Sequence, residues 1–338
     1  MARITDDQTD RTLATVGDGP PASPDSAHTD VLVAAVRLSA TRSLGVGLLK
    51  TMRPKQWAKN LLVFTPLITS HQVFDEARLL TGTVAFVCFC LCASAVYVLN
   101  DLIDLEYDRQ HTQKRYRPLA SGSLAIAWGI PLACLLLLLG FSISVSTLPL
   151  GFCGVLLAYV IVACGYSWLL KRIVMLDVLT LAGLYTVRVL AGGIAIGIVV
   201  SEWLIAFSVF LFASLAFVKR YAELDKLSRT GAVNVSGRGY RTSDVGIIEG
   251  MGTASGLIAV LVLAMYVNGE QSKQLYANPW PIWLICPVLM YWIGRIWILA
   301  KRGELSEDPV VYALGDRVSR CVAVLIAALL ALASMQGN

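Results

Sequence analysis

Runs of apolar residues recur along this chain at the length needed to cross a bilayer, and a chain carrying so many of them has little choice but to fold as spanning helices. Counted at that length there are nine, at approximately 57–74, 79–100, 124–145, 148–167, 177–199, 202–218, 246–267, 280–300 and 319–335. Only 15% of the 338 residues are charged, against roughly 25% in a soluble domain, so the runs are not diluted by a large aqueous region. The expected fold is all-α: a polytopic membrane protein of about nine transmembrane helices bundled around a cytoplasm-facing polar cavity. The first run is short and carries Pro66, which makes it the least regular of the set.

The basic residues orient the bundle. With the N-terminus in the cytoplasm, 24 of the 28 Lys and Arg residues fall on the cytoplasmic side, and only Arg78 and Lys273 fall on the other. This is the positive-inside pattern, and it predicts a multi-pass plasma-membrane protein whose N-terminus and polar site face the cytoplasm. Arg188 and Arg295 remain inside spans, where each needs a polar cavity, a carboxylate or a lipid phosphate. The net charge of +5 serves topology rather than nucleic-acid binding, because no aromatic-rich soluble domain accompanies it. Eight cysteines all lie in apolar segments without a CxxC pair or Cys/His cluster, so neither disulfides nor zinc are expected.

Residues 1–45 are expected to form a disordered or interfacial tail, since the first 30 hold too few apolar side chains to offset ordering entropy. They lack the basic-then-apolar pattern of a secretory signal. Residues 30–52 suit either a helix lying on an anionic leaflet or a flexible lead-in. Residues 46–338 are expected to be a single transmembrane domain.

Most of the chemistry lies between Asn100 and Gly122, NDLIDLEYDRQHTQKRYRPLASG, directly after the second run. At about 100° per helical residue, Asn100, Asp101, Asp104 and Asp108 share an arc of roughly 100° over two turns. Three carboxylates that close repel one another unless a hard divalent cation such as Mg²⁺ neutralises them. Lys114, Arg115 and Arg117 follow at once, and acid that holds metal beside base that holds phosphate suits a diphosphate site. The plainer alternative, a solvated helix end before a topogenic basic loop, explains the cations but not the carboxylates.

Two further regions face the same side. In GYSWLLKRIVMLDVLTLAGLYTVRVLAGG, residues 165–193, Asp177 and Arg188 lie close to three helical turns apart on one face, and Gly183, Gly192 and Gly193 allow close helix approach. Lys171 and Arg172 serve equally well as topology signals or phosphate ligands, whereas a buried Arg188 needs a partner. After the sixth run, Lys219, Arg220, Tyr221 and Glu223 open a basic loop that also holds Arg238, Tyr240 and Arg241, a funnel for an anionic substrate or simply a mobile connection. Trp280, Trp283, Tyr291, Trp292 and Trp297 are expected to anchor at the interface or pack toward lipid.

The NxxxDxxxD motif of Asn100, Asp104 and Asp108, with the following KRYRPLASG and the nine-span count, resembles the intramembrane prenyltransferase (UbiA) superfamily. Within it, RPKQWAKN at 53–60, YVLNDLIDLEYDRQHTQKRYRP at 97–118 and KRYAEL at 219–224 are similar to the decaprenyl-phosphate phosphoribosyltransferases of mycobacteria and their relatives. The resemblance runs from about residue 50 to the end. It departs from the aromatic prenyltransferases at their second DxxxD motif, where this chain reads KRYAELD, with Glu223 and Asp225 beside two cations. That departure favours a donor with more phosphate to grip than a prenyl diphosphate.

The resemblance implies transfer of 5-phosphoribose from phosphoribosyl diphosphate to a polyprenyl (decaprenyl) phosphate, releasing diphosphate and feeding arabinose donors for cell-wall arabinan. Bond breaking leaves negative charge on the departing diphosphate, which Mg²⁺ and basic side chains stabilise. The acceptor phosphate needs no general base, in keeping with histidines only at 28, 71 and 111. Asp101, Asp104 and Asp108 are then the catalytic and metal-holding residues, with Asn100 orienting them. Lys55, Lys59, Lys114, Arg117, Lys219 and Arg220 are expected to grip the donor phosphates, Tyr221, Glu223 and Tyr240 the ribose or the closing loop, and Lys171 and Arg188 the acceptor phosphate. Prenyl transfer to an aromatic acceptor is the nearer alternative and an anion transporter the distant one, the latter usually showing repeated halves that this chain lacks. Self-association into a homo-oligomer stays open.

Overall fold

The computed structural model describes residues 44–229, 238–305 and 308–335, and the expectations for residues 1–43 lie outside them. The chain divides between Val46 and Gly47, and the unit from Gly47 onward carries the helices. Among the described residues eight helical spans are long and apolar enough to cross a membrane, and they contain α1 (Glu76–Ile103), α2 (Gly129–Thr147), α3 (Leu150–Trp168), α4 (Leu176–Ile196), α5 (Glu202–Ser228), α6 (Val245–Asn268), α7 (Ile285–Lys301) and α8 (Arg317–Met335). Polar residues set several of their ends. Asp75 caps α1 by accepting from the Arg78 N–H, Ser201 caps α5 by accepting from the Leu204 N–H, and Gly197 closes α4 at φ 71°.

The first predicted run departs from a regular span. It folds as an eleven-residue 3₁₀ helix, Pro54–Phe64, followed by the five-residue helix Thr65–Thr69. At about 2.0 and 1.5 Å per residue these segments together reach about 30 Å, one hydrocarbon thickness, in fewer residues than an α-helix needs. Its ends agree with a crossing. Arg53 bonds Asp101 at the C-terminal end of α1, whereas His71 packs edge-on against Tyr276, 5.0 Å away, in the α6–α7 connection at the opposite end. The eight long helices agree with the expected all-α bundle, and the first predicted run is the one that does not form a long apolar helix.

Close packing against the thin segment depends on glycine. A Cβ at Gly192 of α4 would stand 1.9 Å from the Val63 carbonyl oxygen, and one at Gly82 of α1 would press on the Phe64 ring. One apolar core lies between the thin segment, α1, α3 and α4, and a second is built on α4, α5, α6 and α7. Trp297, expected at the lipid interface, is instead buried in the second core, where its indole donates to Ser214 and meets Tyr221 edge-on. Trp280 and Tyr291 are exposed as expected of interface residues.

Candidate active site

The acidic motif sits where α1 ends. Ile103 is the last residue of α1, Asp104 forms the joint (φ −92°, ψ 13°), and a short helix, Leu105–Gln110, continues beyond it. Aspartate competes poorly for helix interiors, and a bend at Asp104 divides the carboxylates that an unbroken helix would align. Asp101 and Asp108 are buried and converge on one cation: Nη1 of Arg117 donates to Asp101 Oδ1 at 3.0 Å and to Asp108 Oδ2 at 2.5 Å. Arg53 also donates to Asp101, from a left-handed backbone (φ 52°, ψ 61°) that costs roughly 1–2 kcal/mol. Asp104 turns away and takes both its bonds, at 2.9 Å, from Lys171. The expected single acidic face is therefore a pair plus one. Asn100, half-buried, accepts the Asp104 N–H through its backbone carbonyl at 2.9 Å.

Among the described residues no group of three or more His, Cys, Asp and Glu stands together as a metal site. The donor chemistry of the pair nevertheless fits a hard divalent cation. A single guanidinium nitrogen lies within 3.0 Å of both Asp101 and Asp108, marking one cationic point between two carboxylates, and the other Asp108 oxygen is buried without a partner. Asp101 and Asp108 would hold such an ion, with Asn100 alongside.

A second cluster joins α4 and α5. Asp177, at the start of α4, is fully buried against the equally buried Arg220 at 2.9 Å, and Arg220 also donates to Glu223. Arg238 approaches Glu223 at 3.3 Å and Asp177 at 3.5 Å, so two guanidinium groups close over the position of the second acidic motif. Lys114 stands 5.1 Å from the Tyr107 ring and close enough to Glu223 and Arg238 to feel their charges; burial and then Arg117 lower its pKa.

A third cluster centres on Asp308, which sequence reasoning missed. Its carboxylate accepts from Lys59 at 2.8 Å, Lys219 at 3.2 Å and the Tyr185 hydroxyl at 3.1 Å, and it caps the helix Pro309–Gly315 through the Val310 N–H at 3.2 Å. Burial opposes its charge, yet Lys219 and Lys59 outweigh burial and hold the carboxyl well below the usual carboxylate range. A depressed folded-state pKa makes its share of stability complete above the unfolded value and lost only as pH falls through the folded one. The thermal-stability gap between wild type and Asp308→Asn should therefore still be present at about pH 5 and narrow only below about pH 4. A gap that closes near neutrality would contradict this charge assignment.

The two intramembrane arginines find different partners. Arg295 makes two bonds to Asp316, at 2.7 and 3.1 Å. Arg188 is 4% exposed; it donates to Asn60 at 2.8 Å, to the Tyr159 hydroxyl at 2.8 Å and to the Leu184 carbonyl, and lies 4.7 Å from the Tyr159 ring. Each hydrogen-bond partner is neutral. Of the other expected residues, Lys55 is exposed, Tyr221 lies in the apolar core, and the buried Tyr240 spends its hydroxyl on the Met175 N–H at 2.9 Å. Tyr221 and Tyr240 thus sit in packing positions. Arg53 and Asp308 complete the clusters without having been singled out, whereas Asp177 and Arg238 stood out in the sequence without an assigned role. Asp308 carried a local sign, the Asp-Pro pair that opens a helix.

Residues 61–315 match the UbiA prenyltransferase family. The chain is 37% identical over 282 residues to the uncharacterized protein y4nM of Sinorhizobium fredii, covering 82% of this chain but only 54% of that longer protein. It is 36% identical to the nodulation protein NoeC of Azorhizobium caulinodans, over 78% of this chain and 85% of the relative. Against the decaprenyl-phosphate phosphoribosyltransferase of Mycolicibacterium smegmatis the identity is 39%, over 82% and 89%. The fold is similar to that of a UbiA homolog from Archaeoglobus fulgidus bound to GPP and Mg2+, with a TM-score of 0.65 at 16% identity over 84% of this chain and 99% of that one. The chain belongs to the UbiA prenyltransferase family.

Proposed function

We propose that the protein is a magnesium-dependent membrane transferase that moves 5-phosphoribose from phosphoribosyl diphosphate to a polyprenyl phosphate, releasing diphosphate on the cytoplasmic side. The observation that carries this reading is a charge excess. Arg53, Lys59, Lys114, Arg117, Lys171, Arg188, Lys219, Arg220 and Arg238 outnumber Asp101, Asp104, Asp108, Asp177, Glu223 and Asp308 by nine to six across the three clusters. So many cations against so few carboxylates suit a substrate with several phosphates. The position of the second acidic motif, closed by Arg220 and Arg238, supports a donor gripped by guanidinium groups there.

A divalent cation between Asp101 and Asp108 would supply charge neutralisation of the departing diphosphate. Arg117 and Lys114 border that position and would take the leaving-group oxygens as the bond to the anomeric carbon breaks. Arg220 and Arg238 would hold a phosphate of the donor. The acceptor phosphate oxygen attacks from the opposite side, inverting the anomeric centre from α to β, and as an anion it requires no base. The product would serve arabinose donors for cell-wall arabinan.

The test is transfer of label. Purified protein with labelled phosphoribosyl diphosphate, decaprenyl phosphate and Mg²⁺ should place label in the lipid fraction, and EDTA should abolish the transfer. Turnover with a prenyl diphosphate and an aromatic acceptor, and none with phosphoribosyl diphosphate, would overturn the reading in favour of prenyl transfer.

A further inference from the structure

The region around Asp308 carries more positive charge than its own carboxylate balances. Lys59 and Lys219 both bond Asp308, and Lys59 and Arg188 stand 5.6 and 5.7 Å from the same Tyr185 ring. Among the described residues, the hydrogen-bond partners of Arg188 are all neutral. Two cations thus share one carboxylate and a third stands by the same Tyr185 ring, in a place where Lys59 is 9% exposed, Arg188 4% and the Asp308 side chain 9%, while the Lys219 side chain keeps 31%. Unbalanced charge removed from water is expensive, and its usual explanation is an anion that arrives later.

The manner of binding indicates what that anion is. Asp308 offers the two lysines one oxygen, Oδ2, at 2.8 and 3.2 Å, while its other oxygen takes the Tyr185 hydroxyl and the Val310 N–H. Two ammonium groups on a single oxygen resemble the grip on one oxygen of a phosphate, and a dianion would offset the surplus left by one carboxylate. We infer that Lys59, Lys219 and Arg188 form a phosphomonoester subsite in which Asp308 is an internal stand-in for the ligand, surrendering the lysines when the phosphate arrives.

The inference rests on the phosphoribosyl-transfer reading for its two sources of ligand, the acceptor's lipid phosphate and the donor's ribose 5-phosphate. It predicts the opposite of what a simple anchor would give. Asp308→Asn keeps the helix cap and the shape but removes the competing charge, so it should tighten binding of the monoester by about tenfold. Lys59→Gln added to Asp308→Asn should cancel the gain. Tyr185→Phe, which frees one bond to Asp308 and leaves both lysines in place, should act in the same direction by about threefold and serves if Asp308→Asn does not fold.

Binding is read in detergent with decaprenyl phosphate, ribose 5-phosphate and, as a neutral control, decaprenol. Tighter binding of decaprenyl phosphate alone assigns the subsite to the acceptor, and tighter binding of ribose 5-phosphate alone assigns it to the donor. Unchanged or weaker binding of both by whichever variant folds overturns the inference. Because the readout is affinity, tighter monoester binding in a protein that fails the label-transfer assay would retain the subsite and discard the reaction, and the converse result would do the reverse.

Discussion

Asp108→Asn should lower the turnover number by about 10²–10³-fold, the range seen when one preorganised electrostatic contact to a developing charge is lost, with the folded protein still present. The size of the effect follows from position. Asp108 is 1% exposed, shares the Arg117 nitrogen with Asp101, and holds a second oxygen that is buried and unpartnered. Asparagine keeps the shape and can still accept from Arg117, while Arg117 keeps its bond to Asp101, so the local packing survives. What is lost is one of the two negative charges around the cationic point. The Mg²⁺ concentration giving half-maximal rate should therefore rise along with the fall in turnover. Asp104→Asn should cost only about tenfold, because the Asp104 side chain is 26% exposed and directed at Lys171 rather than at that point. Steady-state rates for both variants across a Mg²⁺ titration check the order. Near-normal turnover in Asp108→Asn with collapse in Asp104→Asn would move the metal-holding role to the joint residue.

That contrast marks where sequence reading stops. Hydropathy located the eight long helices to within about five residues, except that α5 runs on from the expected 218 to Ser228, because lipid leaves the backbone no alternative to satisfying its own hydrogen bonds. The motif from Asn100 to Asp108 was visible for a similar reason, since carboxylates at the end of an apolar run have no packing role. Helical spacing could not show the bend at Asp104, which separates Asp104 from its two neighbours and gives it to Lys171, 67 residues away in the chain. The pairing of Lys59 with Asp308 spans 249 residues, and that of Arg188 with Asn60 spans 128. Such pairs are set by which helices pack together, and single-sequence periodicity carries no record of that. The thin first crossing was foreshadowed by its short length and Pro66, but its 3₁₀ form came from elsewhere, from the closeness with which α4 admits it.

That closeness predicts the largest effect on stability. Gly192→Ala should destabilise the detergent-solubilised protein by about 3 kcal/mol or more, at or beyond the upper end of ordinary overpacking. The added Cβ would meet the Val63 carbonyl oxygen at 1.9 Å, the Val63 carbonyl carbon at 2.8 Å and its Cα at 3.0 Å, all of them backbone atoms that cannot rotate aside. Either α4 or the segment Pro54–Phe64 must then shift by more than an ångström. The segment is pinned along its length at three points: Arg53, which precedes it, to Asp101, Lys59 to Asp308, and Asn60 to Arg188. A shift large enough to admit one methyl group therefore strains both the acidic pair and the Asp308 cluster, and turnover should fall with stability. Gly183, nine residues earlier on the same helix, provides the control. Nothing lies within 4 Å of a Cβ built there, so Gly183→Ala should be neutral or stabilising by up to about 1 kcal/mol through helix propensity alone. Thermal unfolding and turnover measured on both variants separate the two cases. A Gly192→Ala protein as stable and active as the Gly183→Ala protein would mean that the thin crossing does not lie against α4, and the three pins would lose their common support.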